Sequence, residues 1–192
     1  MDRKEKIYSV AKNRQSGIVV VLEDVHDPHN AAAILRSCDA FGVQDVYFIF
    51  DKQKPYNPAR VGKVSSSSAN KWLSYKRFSS ASECASELKR DGFTTFATIL
   101  DKEARSIFKT KFSKHKKIAI FFGNEKDGLS PEAIRCCDKK VYIPMRGLVQ
   151  SLNVSVTAAL FIFEATRQRG SSSRFKRKKS DVDALFDDLS SR

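Results

Sequence analysis

Residues 143–160, IPMRGLVQSLNVSVTAAL, pass from an apolar strand end through a short turn at 145–147 into an apolar helix. Gln150, Ser151, Asn153 and Ser155 sit at the hinge. A helix start presents unpaired backbone N–H groups and partial positive charge, a place for a polar or anionic ligand. Ser and Asn are also ordinary helix caps, and this stretch alone leaves both readings open. Two more polar turns follow apolar runs. EDVHDPHNAAAILR (23–36) places Asn30 at a helix start and Arg36 two turns in. FFGNEKDGLSP (121–131) puts Gly123, Asn124 and Glu125 in a turn, with Ser130 and Pro131 as cap and first-turn pair. A weaker strand end is TILD (98–101). In α/β sheets, ligands gather beyond the carboxyl ends of the strands. The 121–131 turn is not a Walker A loop, because GK[ST] is missing, and no GxSxG elbow surrounds Ser151.

These turns need a scaffold. Residues 18–22 form a continuous apolar run, the signature of a strand buried on both faces. Further strands are expected at 46–50, 72–78, 93–100, 118–122 and 141–143. Helices are expected at 2–12, 30–41, 81–90 and 152–169, with Gly42 and Gly92 as stops. Strands alternating with helices imply an α/β fold with a mostly parallel sheet and flanking helices. Residues 52–70 read as loop, with Pro55, Pro58 and four serines from Ser65. Residues after Gly170 read as a flexible basic linker. A final helix at 181–189 carries Val182, Leu185, Phe186 and Leu189 as an apolar stripe that needs a surface, in this chain or a partner.

The chain has 192 residues, enough for one domain with a substantial core. No apolar run reaches the roughly 18 residues of a membrane span, and the N-terminus lacks a signal-peptide core. A cytosolic place is expected. The net charge of +13 points to nucleic acid, met through phosphate contacts. The charge is clustered: Arg3, Lys4, Lys6, Lys12 and Arg14; then Lys109, Lys111, Lys114, Lys116 and Lys117; then Arg167, Arg169, Arg174, Lys176, Arg177, Lys178 and Lys179. Cys38, Cys84, Cys136 and Cys137 form no CxxC pair and read as structural thiols in a reducing compartment. No metal is expected, since His26, His29 and His115 stand apart from the cysteines.

Together, NAAAILRSCDAFG, FFGNEKDGLS and IPMRGLVQSLNVSVTAALFIFEA resemble the three motifs of the SpoU/TrmH family of SPOUT RNA 2′-O-methyltransferases. The resemblance spans residues 18–169. VLEDVHDPHN, GNEKDGLS and VQSLNVSV are most similar to members that methylate guanosine 18 of tRNA. Methylation of ribosomal RNA or of another tRNA ribose, and a non-catalytic RNA-binding role, stay open as alternatives.

The resemblance implies a deep C-terminal trefoil knot, S-adenosylmethionine as cofactor and a homodimer acting on tRNA. It implies a 1–17 basic extension, an 18–169 catalytic domain and a 170–192 linker and helix. Arg36 would serve the ribose hydroxyl, with Asn30, Glu125, Ser151 and Asn153 arranging the site and Glu125 holding Arg36. Thr98, Leu100, Gly123, Asn124, Ile143, Met145, Ser151 and Leu152 would hold the cofactor. Arg3, Lys4, Lys12, Arg14, Arg167, Arg169, Arg174, Lys176 and Arg177 are the RNA-contact candidates. An arginine is ordinarily protonated, so Arg36 suits a phosphate and ribose clamp on physical grounds and a base by resemblance.

Overall fold

A computed structural model describes residues 2–61, 69–170 and 172–192; the serine run from Ser65 lies outside them. Seven strands make one sheet: β1 (Ile18–Glu23), β2 (Asp45–Ile49), β3 (Ser74–Phe78), β4 (Thr94–Thr98), β5 (Arg105–Ser106), β6 (Ile118–Phe122) and β7 (Lys139–Tyr142). Their order is β3-β2-β1-β6-β4-β7-β5. Every pairing is parallel, for example Val20 with Val46 on one side and Ile120 on the other. The expected mostly parallel sheet is therefore observed, with β5 an additional strand too short to leave a pattern.

Parallel strands at the sheet centre are covered on both faces, so alternate residues enter opposite cores. Ile18, Val20, Leu22, Ile118, Ile120 and Phe122 pack with α2 (Pro28–Ala40) and α5 (Val154–Arg169). Val19, Val21, Ala119 and Phe121 pack with α3 (Ala81–Arg90) and α4 (Pro131–Cys136). The result is a three-layer sandwich whose polar turns emerge at one end.

The first and last helices build a separate core. α1 (Arg3–Asn13) contributes Ile7 and Ala11; α6 (Lys179–Ser190) contributes Val182, Leu185 and Leu189. Tyr8 meets Phe186 edge-on at 5.5 Å. Burying each large apolar side chain contributes about 1.5–3 kcal/mol, so the stripe on α6 is satisfied within the chain. The residues between α5 and α6 are not a free linker: Phe175 is buried, and its carbonyl accepts a hydrogen bond from Ser16 N–H at 3.0 Å.

Candidate active site

Three turns converge at the carboxyl ends of β1, β6 and β7. The first begins earlier than its sequence suggests. Pro28 occupies the first turn of α2, and Asp27 caps it by accepting from His29 N–H at 2.8 Å. Asn30 thus lies inside the first turn, nearly buried, rather than at the cap.

The second turn closes on itself. Asn124 and Gly128 exchange backbone hydrogen bonds at 3.2 Å, and Asn124 Oδ1 accepts from Lys126 and Asp127 N–H at 2.9 and 2.7 Å. A Cβ on Gly123 would stand 1.9 Å from the Gly128 carbonyl carbon, so only glycine fits there. Ser130 caps α4 as expected, its Oγ accepting from Ala133 N–H at 3.0 Å. Glu23, missed in the sequence, anchors the turn: its carboxylate accepts from Ser130 N–H at 2.8 Å and from its hydroxyl at 2.6 Å. Burial pushes the Glu23 carboxyl upward, against those two bonds. The available signal was an acid pair directly after a five-residue apolar run. Its neighbour Asp24, at φ +47°, gathers the N–H groups of Asp51, Lys52 and Gln53.

In the third turn the strand ends at Tyr142 and the helix begins at Val154, capped by Asn153. Asn153 Oδ1 accepts from Ser155 N–H at 2.7 Å and from its hydroxyl at 2.6 Å. Ser151 is exposed, makes no hydrogen bond among the described residues and does not cap.

One relay joins all three turns. Asn153 Nδ2 donates to Asn30 Oδ1 at 3.0 Å, and Asn30 Nδ2 donates to Glu125 Oε1 at 2.8 Å. Glu125 also accepts from the His26 and Asp27 N–H groups, both at 3.3 Å, placing negative charge at the start of α2. Asn30, Glu125 and Asn153 are thus brought together across 95 and 123 residues of chain. Glu125 does not hold Arg36. The Arg36 side chain is exposed and makes no hydrogen bond or ion pair with any described residue, because the relay already occupies the carboxylate.

Beside the relay lies a cavity of about 670 Å³. Thr98, Leu100, Gly123, Asn124, Ile143, Met145, Ser151 and Leu152 all line it, with Glu125, Gln150, Asn153 and Thr157. Its size suits a small organic ligand. Thr98 Oγ1 donates to the Phe121 carbonyl at 2.8 Å, fixing one wall. The missing Gly123 side chain keeps backbone open on another.

The RNA-contact candidates divide. Arg3, Lys4, Lys12, Arg167, Arg174 and Lys176 are exposed, although Arg167 already pairs with Glu164 through two bonds at 2.7 and 2.9 Å. Arg14 and Arg169 are only 2% and 1% exposed and do not reach the surface. Arg14 pairs with Asp39 and donates to its carbonyl at 2.9 Å. Arg169 donates to the carbonyls of Ser16, His115 and Lys116 and lies over the Phe175 ring at 4.5 Å. Burial and nearby Arg174 lower its pKa to about 10. Arg177 is mostly covered, 3.9 Å from the Asp45 carboxylate. Among the described residues, no group of His, Cys, Asp and Glu is placed to hold a metal, and no helix is long and apolar enough to cross a membrane.

The pattern of the SpoU rRNA Methylase family matches residues 17–163, which carry the parallel sheet, all three turns of the relay and the cavity lining; the chain belongs to that family. It is 39% identical over 179 residues to the tRNA (guanosine(18)-2′-O)-methyltransferase of Thermus thermophilus, covering 93% of this chain and 89% of that protein. Its fold superposes on the TrmH/SpoU tRNA modifying enzyme of Aquifex aeolicus with a TM-score of 0.88 at 29% identity, covering 98% and 95% of the two chains. The methyltransferase AviRb of Streptomyces viridochromogenes, solved with AdoMet, matches at TM-score 0.70 and 28% identity over 83% of this chain and 63% of that one.

Proposed function

We propose that the protein is a tRNA ribose methyltransferase that methylates the 2′-hydroxyl of guanosine 18. The observation that carries this reading is the Asn153–Asn30–Glu125 relay, which binds all three family motifs into one site beside a ligand-sized cavity. Near-full-length similarity to enzymes of that name supports the tRNA target over the ribosomal one. A cytoplasmic location follows from that substrate.

The cavity residues fit S-adenosylmethionine. Its nucleoside would lie against the backbone of Thr98, Leu100, Gly123, Ile143 and Leu152, where Gly123 presents no side chain. Asn124, Met145 and Ser151 complete the lining. Bound there, it supplies a methyl group carried on a sulfonium sulfur. The trefoil knot implied by the resemblance would lie in the segment from β6 to α5, which supplies most of the cavity lining.

A ribose hydroxyl is a weak nucleophile, so the protein must position it and accommodate its proton. Arg36 serves the first need in this reading, and the hydroxyl proton passes to an oxygen of the adjoining RNA phosphate. With no protein acid beside it, its charge is available to an RNA phosphate and the adjoining ribose. The relay ties the start of α2, through Asn30, to Glu125 and Asn153, which line the cavity. Asn153 carries that restraint into α5.

The protein acts as a homodimer in this reading. Val156, Leu160 and Phe163 stand at helical spacing on α5, each 42–47% exposed, and Phe41 meets Phe163 at 5.6 Å. Leu148 and Val149, in the turn before α5, are exposed as well, and an exposed apolar face on α5 fits a second copy of the chain.

The test is incubation of tRNA with tritiated S-adenosylmethionine, followed by mapping of 2′-O-methyl nucleotides and calorimetric titration of the cofactor. Label at guanosine 18 is expected. Label elsewhere redirects the target, and absence of cofactor binding overturns the enzyme reading. Sedimentation of the protein and a Leu160→Glu variant checks the dimer: a dimeric parent and a monomeric variant are expected.

A further inference from the structure

The loop between β5 and β6 carries Lys109, Lys111, Lys114, Lys116 and Lys117, and no acid occurs from Ala104 to Asn124. The fold holds this loop firmly. Ile107 and Phe112 are buried, and Phe112 meets Phe96 at 5.1 Å and Phe161 at 6.4 Å. Thr110 Oγ1 donates to the Ser106 carbonyl, and Gln168 Nε2 donates to the Thr110 carbonyl, both at 2.8 Å. With its backbone pinned, the loop turns Phe108 outward, 78% exposed.

Lysines of the same loop are unneutralised. Lys109, Lys111, Lys114 and Lys116 make no ion pair or side-chain hydrogen bond among the described residues, whereas Lys140 is held by Asp101 and Glu103, and Lys76 by Glu87. Arg174 extends the same surface by donating to the carbonyls of Ser113 and Lys114 at 3.5 and 3.4 Å. None of these residues lines the cavity.

We propose that this loop is a second RNA contact, apart from the reaction site, where Phe108 stacks on an unpaired base and Lys109, Lys111 and Lys114 hold the flanking phosphates. An aromatic ring among free cations is the pairing used to bind single-stranded nucleic acid: the ring meets a base face, and the cations follow the backbone. A duplex hides its base faces, so the ring selects a loop, bulge or end. The inference rests on the RNA-substrate reading above.

The test compares the parent, Phe108→Ala, Phe108→Trp and a Lys109→Ala/Lys111→Ala double variant. Affinity for unmodified tRNA transcript is measured by fluorescence anisotropy across a salt series, and cofactor affinity by calorimetry. Phe108→Ala should bind RNA at least about fivefold more weakly with its salt slope unchanged. Phe108→Trp should retain affinity, and its added indole emission should be quenched by RNA. The double variant should lose about 0.7 in slope for each phosphate contact removed. Cofactor affinity should stay at the parent value throughout. Parent-like RNA affinity and slope in both alanine variants overturns the proposal and leaves the exposed ring to a protein contact. If the parent itself binds no tRNA, the function reading falls as well, so the two failures are distinguishable.

Discussion

Arg36 and Arg169 lie on helices packed together on one face of the sheet, yet their surroundings are opposite. Arg169 is buried under three backbone carbonyls at the start of the strands and lies against Phe175. Arg36 stands in water with no partner among the described residues. The same contrast separates whole regions. At the terminal seam, cations such as Arg14 and Arg169 satisfy orphan carbonyls and are consumed by the fold. In the relay, neutral amides and one carboxylate satisfy each other and draw in no cation. The exposed Arg36 is therefore available to an external anion; the buried arginines are not.

The largest expected effect breaks the exposed side of this contrast. Arg36→Ala should lower single-turnover methyl transfer on the order of 10³-fold, while stability changes within about 0.5 kcal/mol, as for other surface replacements. Weakened tRNA binding with normal single-turnover chemistry would reduce Arg36 to a clamp. Arg169→Ala attacks the buried side. Unpaired carbonyls and a cavity should cost about 3 kcal/mol in urea unfolding, with cofactor affinity retained. A loss below about 1 kcal/mol would erase the distinction between the two arginines.

Asn153 sharpens the comparison because it both caps and relays. Asn153→Ala should cost about 1 kcal/mol and slow methyl transfer. Asn153→Asp keeps the capping oxygen but loses the donor to Asn30, so it should restore stability and leave transfer slow. Recovery of both together would mean the relay is only a cap. The smallest effect concerns pH. Burial raises the Asp138 carboxyl, but hydrogen bonds from Thr95 and the Lys89 ammonium, 3.1 Å away, outweigh it and hold its pKa below the ordinary aspartate value. A depressed acid contributes stability above its unfolded pKa and loses it as pH falls through the folded value. Asp138→Asn should therefore be less stable than the parent at neutral pH, and the two unfolding curves should converge below about pH 4.

Sequence reading succeeds where the cause is local. The apolar run at 18–22 is a central strand because nothing polar interrupts it. Ser130 and Pro131 start a helix because both satisfy its first turn. It fails where the cause is distant. Arg14 and Arg169 resemble surface cations until the orphan carbonyls of Asp39, Ser16 and His115 are brought to them. The two residues of β5 carry no period at all. The bond expected from Glu125 to Arg36 is replaced by one to Asn30, since the geometry of α2 turns the amide, not the guanidinium, toward the carboxylate. The cavity lining was legible through the family resemblance, since most of its members, such as Thr98, Leu100, Ile143 and Leu152, carry no local signal of their own.

The pairing of α1 with α6 also bears on how the protein is made. Ile7 and Ala11 leave the ribosome some 170 residues ahead of Val182, Leu185 and Leu189. Until those residues emerge the first helix presents an uncovered apolar stripe, a natural handle for a chaperone and a seed for aggregation when translation stalls.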